Sequence, residues 1–164
     1  MYLLNRILSI ALVMLLSMGA FAQNKKKVTL EDVFKSNTFS AKSVYGINWM
    51  NDGQYYSSLV RGANGSSVVK INVATGKEEK TLIDGAKIGI DFSSYSFNSD
   101  ETKALIASST ERIYRRSSKS VYHVVDLASG EAQLLVNGEK IMYASLSPDN
   151  NKVAYVKDNN LFFV

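Results

Sequence analysis

From Val44 onward the hydrophobic positions recur with a period near two, in short runs rich in Val, Ile, Tyr and Phe separated by Gly, Asn, Asp and Ser. That pattern predicts strands joined by tight turns, with no return of a helical period. One unit recurs three times, as Trp49-Met50-Asn51-Asp52-Gly53-Gln54-Tyr55-Tyr56, Phe97-Asn98-Ser99-Asp100-Glu101-Thr102-Lys103-Ala104 and Leu146-Ser147-Pro148-Asp149-Asn150-Asn151-Lys152-Val153. Each is an apolar residue, a polar turn centred on Asp, and a new strand; the aspartates lie 48 and 49 residues apart. A second marker follows the first in the same order, Asn72-Val73-Ala74-Thr75-Gly76-Lys77 echoed by Asp126-Leu127-Ala128-Ser129-Gly130-Glu131. A period in the forties with four strands per unit predicts all-β propeller blades, and two independent markers argue against a sandwich with chance-similar hairpins.

Each blade then reads as strand A, Asp turn, strand B, loop, strand C, Thr-Gly or Ser-Gly turn, strand D. In the first, Val69, Ile71 and Val73 alternate with Lys70 and Asn72, so one side of strand C is expected to pack and the other to be wetter. In the second, Val121, Val124, Val125 and Leu127 leave little alternation, as in a strand covered on both faces. A third supplies strands A (141–146) and B (152–156) and then Asn160-Leu161-Phe162-Phe163-Val164. Residues 44–164 are thus read as about two and a half blades, whereas propellers close with about four to eight. The expectation is the front part of a larger protein, or a truncated one.

The residues before the repeats differ in kind. Within 23–43, Thr29 stands before Leu30, Glu31, Asp32, Val33 and Phe34, a capping residue followed by acids and then apolar residues, which predicts a short helix. Residues 1–22 combine Arg6, an apolar run over 7–18 and Ala20-Phe21-Ala22 before Gln23. The run is too short to cross a bilayer, which takes about 20 apolar residues, so it reads as a cleaved secretory signal peptide. The mature chain is expected to be secreted or periplasmic and lipid-free.

Composition narrows the chemistry. With 46% hydrophobic and 21% charged residues the chain is globular, and no cysteine and a single histidine, His123, speak against disulfides and metal centres. The net charge of +4 is mild, and along the sequence basic residues alternate with acidic ones, which speaks against nucleic acid as a partner. No cofactor is expected. The most informative stretch is 109–127, S-T-E-R-I-Y-R-R-S-S-K-S-V-Y-H-V-V-D-L. From turn aspartate to the first apolar residue of strand C the distance is 21 residues in the second blade, against 16 in the first and 12 in the third. The excess reads as an enlarged B–C loop holding Arg112, Tyr114, Arg115 and Arg116, at the end opposite the Asp turns. Guanidinium groups grip carboxylates and carbonyl oxygens through a planar fork of donors. Composition alone favours a blander role, a solvated loop whose arginines pair with Glu111 and neighbouring acids. Asp52, Asp100 and Asp149 read as turn formers, not as a metal cluster. His123 sits in a propeller strand with no G-x-S-x-G elbow anywhere in the sequence, so it is not read as a triad base.

The chain resembles the N-terminal part of the dipeptidyl peptidase IV family of serine exopeptidases. The similar features are Thr29-Leu30-Glu31-Asp32, Gly46-Ile47-Asn48-Trp49, Tyr114-Arg115-Arg116-Ser117 with Ser120-Val121-Tyr122 and Val125-Asp126-Leu127, and Ser147-Pro148-Asp149 with Lys152-Val153-Ala154-Tyr155-Val156 and Asn159-Asn160-Leu161. The aromatic-Arg-x-Ser segment is the specific part. The resemblance implies an eight-bladed propeller capping a C-terminal α/β-hydrolase domain, a homodimer at full length, and release of dipeptides with proline or alanine second. It also implies that Arg115 holds a backbone carbonyl or carboxylate of the bound peptide, with Tyr114, Arg116 and Ser117 supporting the loop. The family's paired glutamates and its Ser-Asp-His triad have no counterpart in these 164 residues, so no catalytic residue is assigned and the chain by itself is expected to be inactive. Two further readings stay open: a non-catalytic secreted propeller that binds protein or peptide, and the front of a prolyl tripeptidyl peptidase.

Overall fold

A computed structural model of the chain describes Tyr2, Arg6, residues 27–40 and residues 46–164. The signal-peptide reading of residues 1–22 lies, apart from Tyr2 and Arg6, outside the described residues. The chain divides into two units, Met1–Lys42 and Ser43–Val164.

In the first unit the expected helix is present as α1 (Leu30–Phe34). Thr29 caps it: its Oγ1 accepts from the Asp32 amide at 3.2 Å, and the Asp32 carboxylate accepts from the Thr29 amide at 3.1 Å. This reciprocal box satisfies two of the donors that a helix start leaves unpaired.

The second unit is a partial β-propeller. Its first sheet has the order β1 (Asn48–Trp49), β2 (Tyr55–Gly62), β3 (Gly65–Asn72), β4 (Glu78–Asp84). The second follows with β5 (Phe92–Phe97), β6 (Lys103–Tyr114), β7 (Ser117–Asp126) and β8 (Ala132–Leu134). The third has β9 (Met142–Leu146), β10 (Val153–Lys157) and β11 (Asn160–Phe163). All neighbours are antiparallel and joined in chain order, the up-and-down connection that blade geometry requires.

Both repeat markers fold for local reasons. Asp52 Oδ1 accepts from the amides of Gln54 and Tyr55, Asp100 Oδ1 from the amide and hydroxyl of Thr102, and Asp149 Oδ1 from the Asn151 amide and Ser147 hydroxyl. These donors hold the three carboxyls below the usual 3.8, led by the Gln54 amide at Asp52, the Thr102 hydroxyl at Asp100 and the Ser147 hydroxyl at Asp149. At the C–D turns Asn72 Oδ1 and Asp126 Oδ1 each accept from the amides two and three residues on.

The Asp turns also bond to one another. Asn51 donates its side-chain amide to the Ser99 carbonyl and its backbone amide to Glu101, both at 2.8 Å. Ser99 Oγ donates to the Pro148 carbonyl, and Asn150 Nδ2 to Asp100 Oδ2. A row of polar contacts thus joins consecutive blades at one end.

The blades also share apolar clusters. Val68 and Ile83 of the first meet Phe92, Ala104, Ile106 and Val125 of the second, and Leu105 and Leu135 of the second meet Val153 of the third. Because β6 is a middle strand with a blade on each side, Ala104 to Ser108 are buried without alternation. Fully burying one such side chain as Ile106 contributes roughly 1.5–3 kcal/mol. In β3 the expected alternation does not hold: Val68 and Val69 are both buried, and Val73 lies past the strand and is partly exposed. Adjacent strand residues point to opposite faces, so both faces of β3 are covered at that point.

Short helical turns have no precedent in the periodicity. The single turn α2 (Gly85–Ile88) follows β4, capped by Asp84, which accepts from the Ala86 and Lys87 amides, and closed by Gly89 in the left-handed region at φ 70°. Gly85 packs so closely that a Cβ would stand 2.3 Å from the Ser66 carbonyl oxygen and 2.6 Å from that of Ile90.

Candidate functional site: an arginine ribbon on the second blade

The excess residues of the second blade form strand, not loop. β6 runs 12 residues and β7 runs 10, where β2 and β3 run 8 each and β10 and β11 run 5 and 4. The connection itself is two residues in every blade: Ala63-Asn64, Arg115-Arg116 and Asp158-Asn159. The expected loop is therefore a long hairpin, because backbone groups on both arms find each other across the ladder and leave only the tip to turn.

Past Ser108 and Val121 the hairpin outgrows its neighbours. β5 begins only at Phe92, paired with Ser108, and β8 reaches only to Leu134, opposite His123. Beyond that level the one further pairing is a bridge between Ser120 and Ile141. Two irregularities shape this ribbon. The first is a bulge between Ser108 and Glu111, where Ser109 takes a positive φ of 48°. The second lies between Arg112, paired with Ser118, and Tyr114, paired with Ser117, so that Ile113 is the extra residue. Cross-strand partners share a face and adjacent residues do not, so this bulge sends Arg112 and Tyr114 to opposite faces of the ribbon.

The side chains of the ribbon divide into tied and untied groups. Thr110 shares hydrogen bonds with Ser93 and Ser120 at 2.7 and 2.9 Å. Glu111 accepts from Lys140 at 3.1 Å and Lys119 at 3.2 Å, and these two donors, Lys140 first, hold its carboxyl below the usual 4.5. Lysines thus occupy Glu111, the named acid among those that the arginines were expected to share. Arg112, Arg115 and Arg116 are exposed, and among the described residues their guanidinium groups have no hydrogen bond or ion pair. Tyr114 and Ser117 form the last cross-strand pair, and Tyr114 is 76% exposed. Arg115 and Arg116 are the turn itself, presented to solvent at the tip of a braced ribbon.

His123 lies in mid-β7 between Ile106 and Leu134, with its Nδ1 buried and lacking a hydrogen-bond partner. Burial pushes its pKa below the ordinary 6.5. Asp52, Asp100 and Asp149 stand one per blade in their turns, with side chains occupied as described above. A residue that sequence reasoning missed is Arg61, exposed at the tip of the first blade's B–C hairpin opposite Ser66. Its only signal is the repeat itself, which aligns it with the segment holding Arg112.

Residues 98–164, from the second Asp turn through the ribbon and the third sheet, match the family model for the dipeptidyl peptidase IV (DPP IV) N-terminal region. These residues belong to the N-terminal region of the dipeptidyl peptidase IV family. The chain is 30% identical over 143 residues to dipeptidyl peptidase 4 of Arthroderma otae, covering 84% of this chain and 18% of that protein. Similarity to prolyl endopeptidase FAP of Bos taurus is 29% over 140 residues, again 84% of this chain and 17% of the relative. In three dimensions it is similar to the crystal structure of Porphyromonas gingivalis dipeptidyl peptidase 4, with a TM-score of 0.66 and 29% identity over 85% of this chain and 20% of that one. The chain therefore spans about a fifth or less of the length of these dipeptidyl peptidase IV relatives.

Proposed function

We propose that this region is the substrate-gating propeller part of a secreted serine exopeptidase, and that Arg115 holds a backbone carbonyl or carboxylate of the bound peptide. The observation that carries the reading is the state of Arg115: at the two-residue tip of a ribbon longer than its neighbours, solvent-facing, and without a partner among the described residues. A guanidinium held in that way retains all its donors for a ligand, and a carbonyl or carboxylate matches its fork. Similarity to the dipeptidyl peptidase IV family supports the reaction in this reading, release of N-terminal dipeptides with proline or alanine second. Bond cleavage would be the work of an α/β-hydrolase domain, since the 164 residues contain no G-x-S-x-G elbow. Export by way of the leader at residues 1–22, and a homodimer of the natural-length protein, belong to the same reading.

The test is kinetic, on the natural-length gene product with a Gly-Pro anilide. Arg115→Ala is expected to raise KM roughly tenfold or more, the order of one charge-assisted hydrogen bond, with a smaller change in kcat. An unchanged KM removes the role given to Arg115. Release of tripeptides in place of dipeptides reassigns the protein to the tripeptidyl class, and peptide binding without hydrolysis makes it a binding propeller.

A further inference from the structure

The arginines of this chain are segregated in a way its lysines are not. Its five arginines are Arg6, Arg61, Arg112, Arg115 and Arg116, and the four in the propeller unit all stand on B–C hairpins, at the end opposite the Asp turns. Lysines occur at both ends, and those near the ribbon are engaged: Lys119 and Lys140 with Glu111, and Lys157 with Glu139. The acids at this end are largely committed too. Asp84 caps α2, Asp91 accepts from the amide and hydroxyl of Ser66, and Glu111 and Glu139 are held by lysines, leaving Asp158 in the third turn. The four arginines, by contrast, are exposed and, among the described residues, unpaired.

One guanidinium suffices to hold a carbonyl, so four on one rim with the local acids already neutralised amount to a surplus of fork-shaped, uncommitted positive charge. Solubility would be served equally by lysine, which is compact, strongly hydrated and without the planar fork. The bulge at Ile113 adds to this by turning Arg112 away from the face of Tyr114, so that the ribbon offers a guanidinium on its flank as well as at its tip. We infer that Arg61, Arg112 and Arg116 form an anion-recognising rim around Arg115, and that the peptide taken here carries an acidic side chain, Asp or Glu, close to its N-terminus. The inference rests on the peptide-site reading of Arg115 and adds the class of side chain.

The guanidinium Nε–H resonances of the ¹⁵N-labelled full chain report on these residues directly. The chain is titrated with Glu-Pro-Ala-Ala-amide and Gln-Pro-Ala-Ala-amide, which differ only in one side-chain charge. The glutamate peptide is expected to bind about 5-fold more tightly in low salt, the size of one good exposed ion pair, and to lose that advantage as salt rises. Arg112→Gln should reduce the preference while leaving the glutamine peptide unaffected, whereas Arg115→Gln should weaken both peptides. Equal binding of the two peptides overturns the rim and leaves the reading of Arg115 standing. If neither peptide shifts any arginine resonance, the peptide site fails and the rim with it. A short single-stranded oligonucleotide that binds more tightly than the glutamate peptide overturns the inference in favour of a general polyanion surface.

Discussion

The hairpins of the first and second blades have the same turn length and opposite designs. In the first, the outer strand follows β3 to Ser67, two residues from the tip, Asp91 clamps Ser66 through its amide and hydroxyl, and Gly85 lies against the Ser66 carbonyl. In the second, the outer strand stops opposite His123 and the ribbon continues past it, braced by the Leu135 amide on the Tyr122 carbonyl, by Thr110 and Glu111, and by the Ser120 bridge. The first hairpin is held on its β3 arm up to Ser66, with residues 60–64 exposed and one arginine among them. The second is released from its sheet and carries three. The difference teaches that reach is gained here by lengthening strands, which keep their backbone bonds satisfied, where a longer loop would not.

The comparison is broken most severely at the root of the first hairpin. Gly85→Ala drives a methyl into two carbonyl oxygens, and the movement needed to relieve it is expected to cost about 3 kcal/mol, read as a lower midpoint in urea unfolding. A midpoint equal to that of the parent chain would show that the first hairpin is not clamped there.

The next effect is at the root of the ribbon, and depends on pH. With its folded pKa below 6.5, His123 binds fewer protons in the folded chain than in the unfolded one. Its contribution is therefore complete above about pH 6.5 and is lost as pH falls through the window between that value and the lowered folded one. Unfolding midpoints at pH 7.5 and 5.5 should differ in the parent chain, and His123→Phe, which removes the unpartnered Nδ1, should narrow the gap. A gap of the same width in both proteins would take His123 out of the account.

The smallest effect is expected at the brace. Glu111 and its lysines are well exposed, so Glu111→Gln should leave thermal stability almost unchanged. Its consequence is in the site: with the acid gone, Lys119 and Lys140 are released and the glutamate-over-glutamine preference should rise slightly. A large fall in melting temperature would instead mean that the ribbon depends on this pair to stand.

How far these features were legible follows from how local their causes are. The Asp turns could be read because each aspartate bonds amides two or three residues away, and the same holds for Asn72 and Asp126 and for the Thr29 cap. The ribbon was taken for a loop because its two bulges interrupt the period of two just where a strand would declare itself. α2 was invisible to periodicity because four residues make one turn; only the Asp84 and Gly89 caps marked it. Val68 of β3 is buried because the second blade packs against its face, a fact no window around Val68 contains. The candidate site was legible as a cluster, Arg112 to Arg116. Arg61 was not, since only the fold brings residue 61 to the same end as residue 115.

The row of contacts from Asn51 to Glu101 and Ser99, and from Asn150 to Asp100, gives each blade one bolted end. The hairpin tips have no such row. Residues added between Arg115 and Arg116 lengthen a free end and leave every blade seated against the next. Residues added at Asp52 or Asp100 would separate partners that meet at 2.8 to 2.9 Å and unseat two blades together. The architecture thus divides itself into a side where the chain can be rewritten and a side where it cannot, and the arginines stand on the side open to change.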